Sequence, residues 1–132
     1  MITFQAAWKE KNCFRLKYDK MIYKLDKINE MADGDADFIQ SVITAFLEEV
    51  PQDLDSLEAA VGSGDFTQIY KLSHKIKPNV DMLGMEQTRA LALEMETMGK
   101  EGTDLEAIRE RFPRFKEDVD QVISELRTDF GM

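Results

Sequence analysis

Apolar residues recur at steps of three and four along most of the chain, the period of one face of an α-helix. One run reads Phe38, Val42, Ala45, Phe46, Val50, Leu54, Leu57 and Val61. A second reads Phe66, Ile69, Ser73, Ile76, Val80 and Leu83, and a third Met85, Thr88, Leu91, Met95 and Met98. The last reads Leu105, Ile108, Phe112, Phe115, Val119, Val122, Ile123 and Leu126. A shorter helix over about 23–31 precedes them. No β-type alternation persists, and no two-residue hairpin turn joins strand-like runs. Glycines punctuate the pattern at Gly34, at Gly62 and Gly64, and at Gly99 and Gly102. Asp65 with Gln68, and Thr103 with Glu106, have the spacing of N-caps, in which a side-chain oxygen accepts an orphan backbone N–H. Pro51 and Pro113 fall inside the second and last helical stretches. Each removes a helical hydrogen bond and predicts a bend or a brief interruption. Four long amphipathic helices on short connections predict an all-α fold: an antiparallel up-and-down four-helix bundle with a short additional N-terminal helix.

The length of 132 residues suits one domain. Residues 1–20 carry Lys9, Lys11, Arg15, Lys17 and Lys20 beside Phe4, Trp8, Phe14 and Tyr18, with no clean stripe. They read as an N-terminal extension, frayed or laid along the bundle, with 21–132 as the bundle and Met21 as an alternative start. Charge narrows the function: 17 basic against 26 acidic residues give a net charge of −9. Nucleic acid and anionic membrane surfaces repel such a body, so neither is expected as a partner. Cys13 is the one cysteine and cannot form an internal bridge, which fits a reducing compartment. The N-terminus lacks the apolar stretch of a signal peptide, and the apolar-rich stretch over 38–47 is too short to span a bilayer. A soluble, cytoplasmic protein is expected.

Much chemistry is missing. One histidine and one cysteine cannot build a zinc site. There is neither a GxxxxGK[ST] loop nor a GxGxxG turn to cradle nucleotide phosphates. The acidic DGDAD stretch from Asp33 to Asp37 resembles a calcium loop, but Thr44 stands where the bidentate Glu should be, so a helix-initiating turn is the better reading. His74 remains. At roughly 100° per residue it points about 140° away from the centre of the stripe through Phe66, Ile69, Ser73, Ile76, Val80 and Leu83, and so faces solvent. Tyr70, Lys77, Asp81 and Gly84 fall on the same side of that helix. Lys77, three residues on, is within reach of His74. An exposed imidazole beside a fixed ammonium can accept a phosphoryl group: the ring nitrogen is nucleophilic near neutral pH, and the lysine favours the arriving charge.

The stretch from Leu72 to Gly84, LSHKIKPNVDMLG, resembles the histidine-containing phosphotransfer (HPt) domain, of the stand-alone bacterial type. That family places H-x-x-K on a helix with a glycine ten residues after the histidine, and His74, Lys77 and Gly84 match all three positions. DGDADFIQSVITAFLEEVPQDL is similar to the family's first two helices, including the mid-helix proline, so the resemblance covers about residues 23–128. Pro78 departs from it, standing where the family commonly has glycine. With no N–H to give to the His74 carbonyl, it predicts a local kink. The resemblance implies a relay. His74 takes a phosphoryl group from an aspartate of a response-regulator receiver domain and passes it to another receiver aspartate. Lys77 counters the phosphoryl charge, and Gly84 lets the partner approach closely. Mg²⁺ is expected on the receiver, with no cofactor or metal on this chain. Glu96 matches a family position that often holds Gln or Glu, which implies a hydrogen bond to His74 or Lys77.

Tyr70, Lys75, Pro78, Asp81, Met82, Gly84 and Glu96 are the expected partner-binding residues, while Met85 reads as packing. A hybrid histidine kinase is the other implied partner, and a monomer is expected. With no ATP motif, the chain reads as a carrier rather than an autonomous enzyme. Two other readings compete. One is a phosphorylation-independent helical adaptor binding receiver or kinase domains, which has no need of the His74/Lys77 pair. The other is a helix-bundle enzyme using Glu94 or Glu96, which requires a deep pocket and shifted carboxylates.

Overall fold

The computed structural model describes residues 22–131, so the extension expected over 1–20 lies outside the described residues. Five helices follow in order: α1 (Asp26–Ala32), α2 (Ala36–Ser63), α3 (Phe66–Met82), α4 (Glu86–Glu101) and α5 (Leu105–Phe130). Each long helix packs on its neighbours in sequence, and α2 also packs on α5, which closes a four-helix bundle with α1 against α2. Connections of two or three residues force consecutive helices antiparallel. The stripes meet in one core that includes Ile39, Ile43, Phe46, Val50, Leu54 and Leu57 of α2, Ile69, Ile76 and Val80 of α3, Met95 of α4, and Phe115, Val119, Val122 and Leu126 of α5. Burial of these faces supplies most of the helices' stability, since propensity alone leaves isolated helices marginal.

Helix starts and stops follow the sequence with three exceptions, the first being α1, which starts at Asp26 and not near Tyr23 because the Lys24 N–H is committed to the Leu83 carbonyl. Asp35 caps α2, its carboxylate accepting from the Asp37 and Phe38 N–H groups at 3.0 and 3.2 Å, so the DGDAD stretch is a helix start. Asp65 caps α3 by accepting from the Gln68 N–H at 3.2 Å. The cap expected at Thr103 does not form. The Thr103 N–H is committed to the Met98 carbonyl at 3.2 Å in closing α4, and Asp104, in the left-handed region, takes the N-cap position of α5. Gly99 does not break the chain either: it lies buried inside α4, which ends at Gly102.

The stripes also shift slightly from their expected register. Phe38 and Ala45 are exposed, and Ile39 and Ile43 take the buried positions of that face. On α4, Ala92 and Gly99 are buried, while Leu91 and Met98 are half-buried. The interruptions expected at Pro51 and Pro113 are absent: α2 and α5 run through them. Buried Val50 and Leu54 flank the first, and Phe112 and Phe115 the second. This core packing on both sides outweighs the loss of one hydrogen bond.

Residues 22–25 close one end of the bundle. Tyr23 and Leu25 are buried, and the Tyr23 hydroxyl donates to Asp129 at 2.5 Å. The Ile22 N–H donates to Glu125 at 3.3 Å, and the Lys24 N–H to the Leu83 carbonyl at 2.7 Å. The N-terminal segment is thereby tied both to α5 and to the α3–α4 turn.

Two glycines, one inside the last turn of α2 and one capping it two residues on, test this account of the helix ends. Gly62 has ordinary helical geometry and open space around its Cα, so Gly62→Ala should stabilise the fold by about 0.5 kcal/mol. Gly64 has φ of +73°, and an added Cβ meets Leu105 at 3.1 Å, so Gly64→Ala should cost about 1 kcal/mol or more. Urea unfolding midpoints of the two variants, shifted in opposite directions, check both.

Candidate functional site

His74 stands at the middle of α3, one residue past Ser73, which is fully buried. The helix period therefore turns His74 outward, and its side chain is 64% exposed. Antiparallel α4 lies alongside and brings Glu96 to the same level. A Glu96 oxygen lies 2.9 Å from His74 Nδ1, and its other oxygen lies 2.6 Å from Lys77 Nζ. One carboxylate thus spans two successive turns of α3. Tyr70, one turn before His74, is half-buried and stacks against the imidazole, with centroids 6.1 Å apart and an interplanar angle of 29°.

The protonation states follow from that geometry. Burial pushes the Glu96 carboxyl upward, but the hydrogen bonds and charges of Lys77 and then His74 outweigh it and hold the group below the ordinary value of 4.5. Glu96 is therefore a carboxylate at neutral pH and can only accept hydrogen bonds. Nδ1 of His74 must then carry the proton that it shares with Glu96, and in the neutral ring the free lone pair sits on Nε2. That nitrogen belongs to an exposed ring beside an ammonium group, which suits it to attack an incoming electrophile whose negative charge Lys77 can meet.

The other residues singled out in the sequence divide into three groups. Lys75 is exposed, but its Nζ is 3.0 Å from Asp53 of α2, which turns its charge toward that helix. Asp81 pairs with Lys27 of α1 at 2.9 Å and with Arg89 of α4 at 3.6 Å, two turns from His74. Pro78 is exposed and lies inside α3, which continues to Met82, so the kink expected there does not end the helix. Buried Ile76 and Val80 anchor the helix on both sides of it. Met82 is half-buried against the core, and Met85 is buried, as its packing reading required.

Gly84 lies just past the end of α3 and is half-buried. Its φ of +67° makes the α3–α4 turn, and a Cβ there would meet Lys24 Cβ at 3.1 Å. Lys24 therefore packs against Gly84, which serves the turn and also lines a cavity beside it. Glu94 is held by Arg111 at 2.6 Å. Glu96, shifted downward, has the wrong direction for a general acid at neutral pH. The enzyme reading needs a carboxyl with raised proton affinity, and Glu96 is held in the opposite direction. A cavity of about 320 Å³ lies at the α3–α4 turn, between Lys24, Glu86, Thr88 and Arg114, and neither Glu94 nor Glu96 lines it.

The sequence did not single out Asp53, Lys27 or Arg89, whose roles depend on which turns of neighbouring helices come level. It misread Gly99, whose only sequence signal is a glycine inside a helical period.

Compared with protein-family models, the chain matches the Hpt domain over residues 41–126. The chain belongs to the Hpt family. No curated protein and no solved structure matches it. The match spans most of α2, all of α3 and α4 and most of α5, so the Hpt assignment reaches all four bundle helices and includes the His74 face. Hpt domains are phosphoryl carriers of two-component phosphorelays, where they meet receiver domains and kinases. This Hpt domain accordingly takes part in histidine phosphotransfer. None of its described helices is long and apolar enough to cross a membrane.

The Glu96 contacts carry a pH signature. A carboxyl held below its ordinary value contributes stability that is fully present above pH 4.5 and is lost as pH falls through the lower folded value. Glu96→Gln should therefore lower stability at pH 7, and the gap to wild type should narrow at pH 3. Urea unfolding at the two pH values checks this; a gap that is constant or widens on acidification contradicts it.

Proposed function

We propose that His74 is the phosphoacceptor and that the chain is an intermediate in a phosphorelay. It takes the group from a response-regulator aspartate and passes it to another receiver aspartate. The observation that carries this reading is the placement of His74: Nδ1 faces an ionised Glu96 while the ring stays exposed beside Lys77.

In the first step Nε2 attacks the phosphorus of the aspartyl phosphate, the bond from phosphorus to the aspartate oxygen breaks, and the aspartate leaves as a carboxylate. The ring keeps its Nδ1 proton and becomes a phosphorylated imidazolium, whose positive charge faces the Glu96 carboxylate. Lys77 meets the phosphoryl oxygens. Transfer onward is the same displacement in reverse on a second receiver. Little covalent chemistry is asked of this chain. Its share is position and charge, with Mg²⁺ held by the receiver. In this reading the chain is a carrier and not an autonomous enzyme, acting as a monomer in the cytoplasm and meeting a hybrid histidine kinase as well as receivers. Tyr70, Lys75, Pro78, Asp81 and Met82 form the rim that a receiver covers, in a contact small enough to be transient. The adaptor reading leaves unexplained a carboxylate that orients one ring nitrogen and leaves the other exposed.

Incubation with a receiver charged by acetyl phosphate tests the proposal. Wild type should acquire acid-labile, base-stable phosphate, and His74→Gln should acquire none. Lys77→Ala should keep the site but slow transfer by about 10- to 100-fold. Equal labelling of wild type and His74→Gln, or an unlabelled wild type beside several well-charged receivers, contradicts the assignment.

A further inference from the structure

The α3–α4 pairing has a contact that the site's residues do not explain. Gly99 is buried in the last turn of α4, still inside the helix, at a position where alanine would be the better helix former. A Cβ built on it would lie 2.8 Å from the Tyr70 backbone nitrogen, 3.1 Å from the Phe66 carbonyl oxygen and 3.1 Å from Tyr70 Cα. These are main-chain atoms of α3, so no side-chain rotation relieves the clash. The helices would have to part by several tenths of an ångström. Gly99 lies one turn along α4 from Glu96, and Tyr70 one turn along α3 from His74. The close backbone contact thus lies one turn from the Glu96–His74 contact, on the same pair of helices.

We propose that Gly99 is a positioning residue for phosphotransfer: its missing side chain sets the α3–α4 separation at which Glu96 reaches both His74 and Lys77. The proposal rests on the reading of His74 as phosphoacceptor and adds the element that fixes its tautomer. Both partners of Glu96 sit on α3, so parting the helices lengthens both contacts together. A hydrogen bond of 2.9 Å is near its optimum and weakens steeply with added distance and misalignment. Without the Glu96 contact, Nδ1–H loses its acceptor and the ring distributes its proton between both nitrogens. Part of the population then presents a protonated Nε2, which cannot attack.

The test compares wild type, Gly99→Ala, Glu96→Asp and Gly62→Ala. Nitrogen-15 NMR of the imidazole in the free protein reports the tautomer, and receiver-driven labelling reports the transfer rate. Wild type and Gly62→Ala should show Nδ1–H as the dominant form and equal rates. Gly99→Ala, with helical content retained by circular dichroism, should lose that dominance and transfer about 10-fold more slowly. Glu96→Asp retracts the carboxylate by one methylene without touching the Gly99 contact, and should show the same two changes even if Gly99→Ala fails to fold. A wild-type tautomer in Gly99→Ala or in Glu96→Asp overturns the proposal, as does a shifted tautomer with an unchanged rate. The NMR arm needs no receiver. An error about the phosphoacceptor therefore shows as an unlabelled wild type, and an error about Gly99 as an unmoved tautomer.

Discussion

The Glu96 carboxylate accepts from the His74 ring with one oxygen and meets the Lys77 ammonium with the other, and the character of the whole face depends on this sharing. An exposed histidine would ordinarily sample both tautomers and several rotamers, and an exposed lysine would sweep a wide volume. A single acceptor from the neighbouring helix restrains both. It also sets one carboxylate between the ring and the lysine. In the proposed relay an arriving phosphoryl group gives Lys77 a second anion to meet, and the ring acquires a positive charge that Glu96 is already placed to meet. The group can therefore be accepted without wholesale rearrangement, and it can also leave, as a carrier requires.

A net charge of −9 makes this protein a poor host for an anion in general. α3 is the local exception, with Lys71, Lys75 and Lys77 against Asp81 alone. Acidic residues elsewhere moderate it: Asp53 draws Lys75 toward α2, and Asp81 is itself held between Lys27 and Arg89. The most sharply placed cation left on the His74 face is Lys77.

Much of this was legible from the residues. The periods of three and four gave the helices and put His74 on the exposed side of α3, because burial of Ser73 and Ile76 fixes the helix's rotation. The motif from Leu72 to Gly84 gave the family. What periodicity along one chain cannot give is the register between chain segments. Whether Glu96 or Glu94 comes level with His74 depends on how far α4 is displaced along α3, and that depends on the turn at Gly84 and the contact at Gly99. Thr103 and Phe38 were misread for a related reason. The local signal in each case competed with a neighbour's demand, the closing turn of α4 for Thr103 and the better-placed Ile39 and Ile43 for Phe38. The three helical prolines show tertiary packing overriding a local breaker, since each helix runs on through its proline with buried residues on both sides.

The central claim is that Glu96 selects which imidazole nitrogen does the chemistry. The most direct measurement is phosphorus–nitrogen coupling by NMR on ring-labelled protein after transfer from a receiver, which identifies the phosphorylated nitrogen. The account predicts phosphate on Nε2 of His74, with the proton retained on Nδ1. Phosphate on Nδ1 would contradict it, because Glu96 would then have to release the ring before transfer.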